Sequence, residues 1–201
     1  MCFKESKPKF SEKELIMVPR DPDIVVYFRE VGKKDPQHFR VAEYEDAFVI
    51  CPKGEIKYVG SPGFYKLVSI PAKIIWVRSA KFLLTVGVPV GILPGGFGVH
   101  ADLILLIKNP DSIVRSIVSS STEGRITISE VKMELRRLLE NAVRNLQITP
   151  DMDRREVVES LHREMNSLLM RSWLNGFLID VQSVGFSFEC EISKILSELV
   201  R

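Results

Sequence analysis

The sequence predicts an α+β protein, with a strand-rich first half, one long central strand, and helices that lead into a closing strand. A short corner, Gly60-Ser61-Pro62-Gly63-Phe64-Tyr65, ends a run of β-rich segments. From Phe97 to Lys108 the apolar residues recur at period two, and beyond Asn109-Pro110-Asp111 they recur at three and four.

Val41 to Leu67 reads as an antiparallel three-strand meander: Ala47 to Cys51, a turn at Pro52-Lys53-Gly54, Glu55 to Val59, then the Ser-Pro-Gly corner and Phe64 to Leu67. In the long strand Phe97, Val99, Ala101, Leu103, Leu105 and Ile107 share one face. Ile104 and Leu106 add apolar bulk to the other face, which places this strand at the centre of a sheet, covered on both sides in its middle.

Asn109 caps a helix whose first position is Pro110, where a missing N–H costs nothing. Ile113, Val114, Ile117 and Val118 form its inner face, and it stops in Ser119-Ser120-Ser121-Thr122-Glu123-Gly124. Thr127 with Glu130 forms a capping box for a second helix, whose Ile128, Val131, Leu135, Leu138, Leu139, Ala142 and Leu146 repeat at helical spacing. A third helix follows Thr149-Pro150-Asp151 and runs to about Leu174, with Val158, Leu161, Met165, Leu168 and Leu169 inward and Gly176 as its stop. The closing strand is Phe177 to Glu189. Its apolar parity moves from Ile179 and Val181 to Val184, Phe186 and Phe188, which predicts a bulge near Ser183 and Gly185.

This order of parts resembles the SPFH domain, also called the band 7 domain, of stomatins, prohibitins and flotillins. The likeness rests on the Gly-Ser-Pro-Gly-Phe-Tyr corner, the strand into Asn109-Pro110, the two long helices, and Gly176 before the closing strand. The tract from Ile74-Ile75-Trp76-Val77-Arg78 to Gly91 is similar to a prokaryotic, virion-core-like subtype. The resemblance covers 23–189 and implies an SPFH/band 7-like domain there, with sub-parts 23–96 and 97–189; residues 1–22 read as a charged N-terminal extension outside it. Residues 190–201 then begin a C-terminal helix. It also implies a non-catalytic scaffold that self-associates as a homo-oligomer and docks on a membrane surface or a membrane-protein partner. Residues 1–22 hold no apolar anchor and the last helix has barely begun by Leu199, so the chain is expected to be a minimal or a shortened version. Large-ring assembly and constitutive anchoring are not implied.

Composition bounds the alternatives. The 201 residues are 45% apolar and 27% charged, enough for one compact domain or two small ones around a shared core. A formal net charge of +2 does not argue for nucleic acid. Arg136-Arg137 and Arg154-Arg155 have Glu neighbours and read as solvated helix faces. The longest weakly polar tract, Phe82 to Leu93, is too short and too rich in Pro and Gly to span a bilayer. Leu15-Ile16-Met17-Val18 is too short for a secretory signal. Cys2, Cys51 and Cys190 show no Cys-x-x-Cys spacing and favour reduced thiols, a cytoplasmic protein, and at most a place peripheral to the inner face of a membrane.

No enzyme motif is complete. Gly96-Phe97-Gly98-Val99-His100-Ala101 fits G-x-G-x-x-A but opens a strand, where a dinucleotide fingerprint must open a helix. His162-Arg163-Glu164 lacks the Pro-Cys-x-x-Cys that completes a zinc deaminase site. No catalytic residue, metal ligand or cofactor is therefore predicted. Two surfaces stand out. Val88, Val90, Ile92 and Leu93 lie in a tract of hairpin or loop character, Phe82 to Gly96, and divide between packing on the body and docking on a partner or lipid. His100 and Asp102 share the second face of the central strand and could border a groove, the basis of an alternative function as a soluble ligand-binding or regulatory module.

Overall fold

The structure is a computed structural model and describes residues 2–7, 11–79, 81–90, 96–118 and 124–188. In chain order the elements are β1 (Phe3–Glu5), β2 (Leu15–Ile16), β3 (Ile24–Val31), β4 (His38–Val41), β5 (Glu45–Ile50), β6 (Ile56–Val59), β7 (Gly63–Leu67), β8 (Ala72–Arg78), β9 (Phe82–Val90), β10 (Phe97–Ile107), α1 (Pro110–Val118), β11 (Gly124–Thr127), α2 (Ile128–Leu146), α3 (Arg154–Leu169) and β12 (Phe177–Phe188). The fold is α+β and dominated by sheet. Two compact units interleave along the chain, one of Met1–Ala80 with Asn109–Glu130, the other of Lys81–Lys108 with Val131–Arg201. The division falls at Lys81 and not near 96, because β9 pairs with β10 and not with the strands before it.

In the first unit a four-stranded sheet, β1-β7-β4-β2, shares a core with a five-stranded sheet, β11-β3-β8-β5-β6. Ala72, Ile74 and Trp76 alternate onto one face of β8 and join Phe39, Val41, Tyr65 and Leu67 in that core. The Trp76 indole N–H donates to the carbonyl of Arg40 at 2.9 Å, which satisfies a polar atom on a side chain only 1% exposed.

The three-strand meander is corrected here. β5 and β6 do form a hairpin, turned through Gly54 with φ of 79°, a backbone region that suits glycine. The Ser-Pro-Gly corner then carries β7 away to pair with β4 and β1, and β8 takes the other side of β5. The Tyr65 hydroxyl pins the corner by donating to the carbonyl of Ser61 at 2.7 Å.

Within the N-terminal extension, β1 and β2 belong to the four-stranded sheet and Ile16 is 2% exposed. The expectation of reduced thiols is also overturned. Cys2 and Cys51, 49 residues apart in sequence, form a disulfide with their Cα atoms 5.9 Å apart. Cys2 precedes β1 in one sheet and Cys51 follows β5 in the other, and the two meet in the core that the sheets share, so no spacing motif could announce such a pair. Cys190 lies outside the described residues.

In the second unit β10 is the central strand of the sheet β12-β10-β9. Val99, Ala101, Leu103 and Leu105 are all buried on one face, as the alternation requires. Among the described residues of α2, Val131, Leu135, Leu138, Leu139, Ala142 and Val143 are buried. The capping box forms: the Thr127 N–H donates to a Glu130 carboxylate oxygen at 2.7 Å and the Glu130 N–H to the Thr127 hydroxyl at 3.4 Å. In the first unit, Asn109 likewise accepts from the Ser112 N–H at 3.2 Å at the start of α1.

Helix α3 is shorter than expected. Asp153 caps it, Val157 takes the inward place expected of Val158, and the chain turns after Leu169 through Gly176, whose φ is 113°. The bulge in β12 is present one residue early: Asp102 faces Ser183 while Leu103 faces Val181, so Gln182 is the extra residue.

Candidate interaction face on the three-stranded sheet

The period-two pattern of β9 is complete. Phe82, Leu84, Val86 and Val88 point inward and are buried, while Leu83, Thr85, Gly87 and Pro89 point outward and are exposed. Cross-strand register sets the outer face in rows: Pro89, Gly98 and Ser187; Gly87, His100 and Gly185; Thr85, Asp102 and Ser183; Leu83, Ile104 and Asp180.

Asp102 is the best-organised polar group on this face. Its two carboxylate oxygens accept from the Ser183 and Thr85 hydroxyls, each at 2.7 Å, and these bonds, Ser183 first, hold its carboxyl below the usual carboxylate range. A carboxylate so stabilised is a weak proton acceptor, and both hydroxyls are spent on it as donors. The row fastens three strands together and does not present an activated nucleophile.

His100 lies between two glycines. A Cβ added at Gly185 would sit 2.1 Å from the imidazole Nε2, so the ring rests on ground that only glycine leaves free. A cavity of about 300 Å³ opens beside it, bordered by Gly87, Pro89, Gly98, Ser187 and Arg136. His100 and Asp102 therefore do share one face, as their spacing requires, with His100 at the cavity and Asp102 one row away in its hydroxyl pair.

The two edges of the sheet differ. At β12 the side chain of Asn166 reaches the free edge, accepting from the Ile179 N–H at 3.0 Å and donating to the Ile179 carbonyl at 2.7 Å. At β9 no backbone hydrogen bond among the described residues reaches the side away from β10. Phe82–Val90 is nine residues long and holds no charged side chain.

Of the expected interaction residues, Val88 is 3% exposed and belongs to the core, a correction that follows from its inward parity. Val90 is half-buried at the strand end. Ile92 and Leu93 lie outside the described residues. The exposed apolar side chain on this face is Leu83, at 73%, which the sequence reading did not single out. The alternation Val86-Gly87-Val88-Pro89-Val90 could have shown which set faces out.

The helix residues behave as a solvated surface. Glu134 pairs with Arg137 at 2.7 Å, Arg155 with Glu159 at 3.5 Å, and His162 lies 3.7 Å from Asp180. Among the described residues no group of three His, Cys, Asp or Glu side chains is placed to hold a metal ion. No helix among them is long and apolar enough to cross a membrane. The sequence matches no family model and no curated protein.

Proposed function

We propose that the chain is a non-catalytic scaffold module of the SPFH/band 7 type that associates with its own copies through β9. One observation carries this reading. Among the described residues β9 is an edge strand of nine residues, bonded on one side and without a charge along its length. Edge strands of soluble proteins are ordinarily guarded by lysine, bulges or cover, because an open ladder pairs with any strand of suitable length. Here Pro89 is the guard at one end, and the opposite edge is engaged at Ile179 by Asn166.

A second copy suits the edge. Two β9 strands related by a two-fold axis run antiparallel and are self-complementary, which gives a closed dimer and not an open fibre. Full-length antiparallel pairing is centred on Val86 and would set Leu83, on the outer face, across from Pro89 of the second copy. A place at the cytoplasmic side of a membrane remains part of the proposal, resting on the resemblance alone, since a disulfide between Cys2 and Cys51 does not favour a reducing compartment.

Light scattering after size exclusion, over a range of concentrations and with and without anionic vesicles, tests the proposal. The wild-type chain is expected to form dimers or larger species that L83K shifts toward monomer. A strict monomer at all concentrations would set the scaffold aside. It would leave the second reading, a soluble binding module, which the cavity beside His100 supports.

A further inference from the structure

Arg20, Arg40 and Arg78 border one cavity of about 260 Å³ in the first unit, together with Glu45, Met17 and Val18. The three arginines come from separate stretches: beyond β2, on β4, and at the end of β8. Arg29, Arg115, Arg125, Arg137, Arg144 and Arg155 each have a carboxylate partner; Arg20, Arg40 and Arg78 have none among the described residues, as is also true of Arg136, Arg154, Arg163 and Arg171.

The local bonding places the groups around the cavity. Glu45 faces Arg78 across the β5–β8 register, yet its carboxylate accepts from the Ala42 N–H at 2.9 Å. The Arg78 guanidinium donates to the carbonyls of Asp21, at 3.0 Å, and Pro22, which fix its position without neutralising it. Arg40 lies over the Phe64 ring, 5.9 Å from its centroid. Three arginines and one glutamate among the lining residues give a formal excess of two positive charges around this concavity. Like charges gathered in this way repel one another, and an anion among them removes that cost.

We propose that this cavity binds a phosphomonoester dianion. Guanidinium presents forked donors that match phosphate oxygens, and Arg78 is already oriented by its two carbonyl bonds. A charge of minus two matches the excess. The volume suits a phosphate with a small attached group and falls below the usual size of a pocket for a larger ligand, about 300 Å³ and upward. The same chemistry is offered by a soluble phosphate ester and by a monoester lipid headgroup. The site lies within the first unit and does not depend on association through β9.

The test is calorimetric titration of the full chain with inorganic phosphate and glycerol 3-phosphate. It is paired with sedimentation on phosphatidylcholine vesicles carrying either phosphatidic acid, a monoester, or phosphatidylglycerol, a diester. Saturable binding that strengthens as pH rises through about 6, where the second phosphate proton leaves, is expected. Binding of the soluble esters without a vesicle preference assigns the site to a free ligand; a preference for phosphatidic acid assigns it to a headgroup. R20Q/R40Q alters exposed side chains, so it is expected to keep the wild-type unfolding midpoint and to weaken binding at least about tenfold. The proposal is overturned if neither soluble esters nor phosphatidic acid bind preferentially, or if R20Q/R40Q binds as the wild type does.

Discussion

The amide of Asn166 completes the backbone ladder at Ile179. Its oxygen takes the Ile179 N–H, one of its amide hydrogens goes to the Ile179 carbonyl, and the other goes to the carbonyl of His162 one helical turn back. Every polar atom of the side chain is used, so one helix residue stands in for a missing strand. N166L is expected to leave a partly buried N–H and C=O without partners and to cost roughly 1–3 kcal/mol in chemical denaturation. Amide exchange at Ile179 should rise with it. A variant of wild-type stability would mean that water replaces the amide without loss.

Glu134 joins α2 to the turn that follows α3. Its carboxylate accepts two bonds from Arg137, at 2.9 and 2.7 Å, and one from the hydroxyl of Ser172, a residue only 8% exposed. The Arg137 pairing, followed by Ser172, holds its carboxyl below the usual range for glutamate. A carboxyl depressed on folding contributes stability that is full above its unfolded value and lost as pH falls through the folded one. E134Q should therefore cost about 1 kcal/mol at neutral pH and lessen the loss of stability on acidification. Urea unfolding at neutral pH and at acid pH checks both. An equal loss at the two pH values would mean that shape alone, not charge, matters at this position.

The disulfide closes a span of 49 residues, from the edge of one sheet to the end of a strand in the other. Removing it by C2S/C51S is expected to cost roughly 2–4 kcal/mol, mostly through the freedom regained by the unfolded chain. Wild type under reducing conditions should match the variant in thermal unfolding. A variant as stable as the oxidised protein would show that the strand pairing of β1 holds the N-terminal segment unaided.

Gly185 makes room for the His100 ring. G185A puts a methyl where Nε2 now lies, so the imidazole must swing away, and a side-chain tip can do so cheaply. Stability within about 1 kcal/mol of wild type is expected, with clear changes in the His100 ring resonances by NMR. Loss of several kcal/mol would mean that the ring is clamped in place.

Much of the chain from Phe97 onward was legible because its signals are local. The capping box at Thr127 and Glu130, the cap at Asn109, and the parity of Phe97 to Ile107 each lie within a few residues of sequence, and each is realised. The bulge in β12 was visible as a change of parity and missed by one residue. The meander failed for the opposite reason. A turn at Gly60 to Gly63 says that the chain changes direction but not which sheet it joins, and β7 joins β4 and not β6. The Cys2–Cys51 pair, the amide of Asn166 at β12 and the three arginines at one cavity depend on residues far apart in sequence, where no periodicity or spacing operates. At Val88 the apolar character was plain, but only its inward parity decides that it is core.

Self-association through the open edge of β9 is tested most directly by hydrogen exchange of the Phe82–Val90 amides at low and high protein concentration. Pairing of β9 with its counterpart predicts protection that grows with concentration, is confined to this strand, and disappears in L83K. Exchange at β9 that is the same at every concentration, whether or not the protein oligomerises, would contradict it.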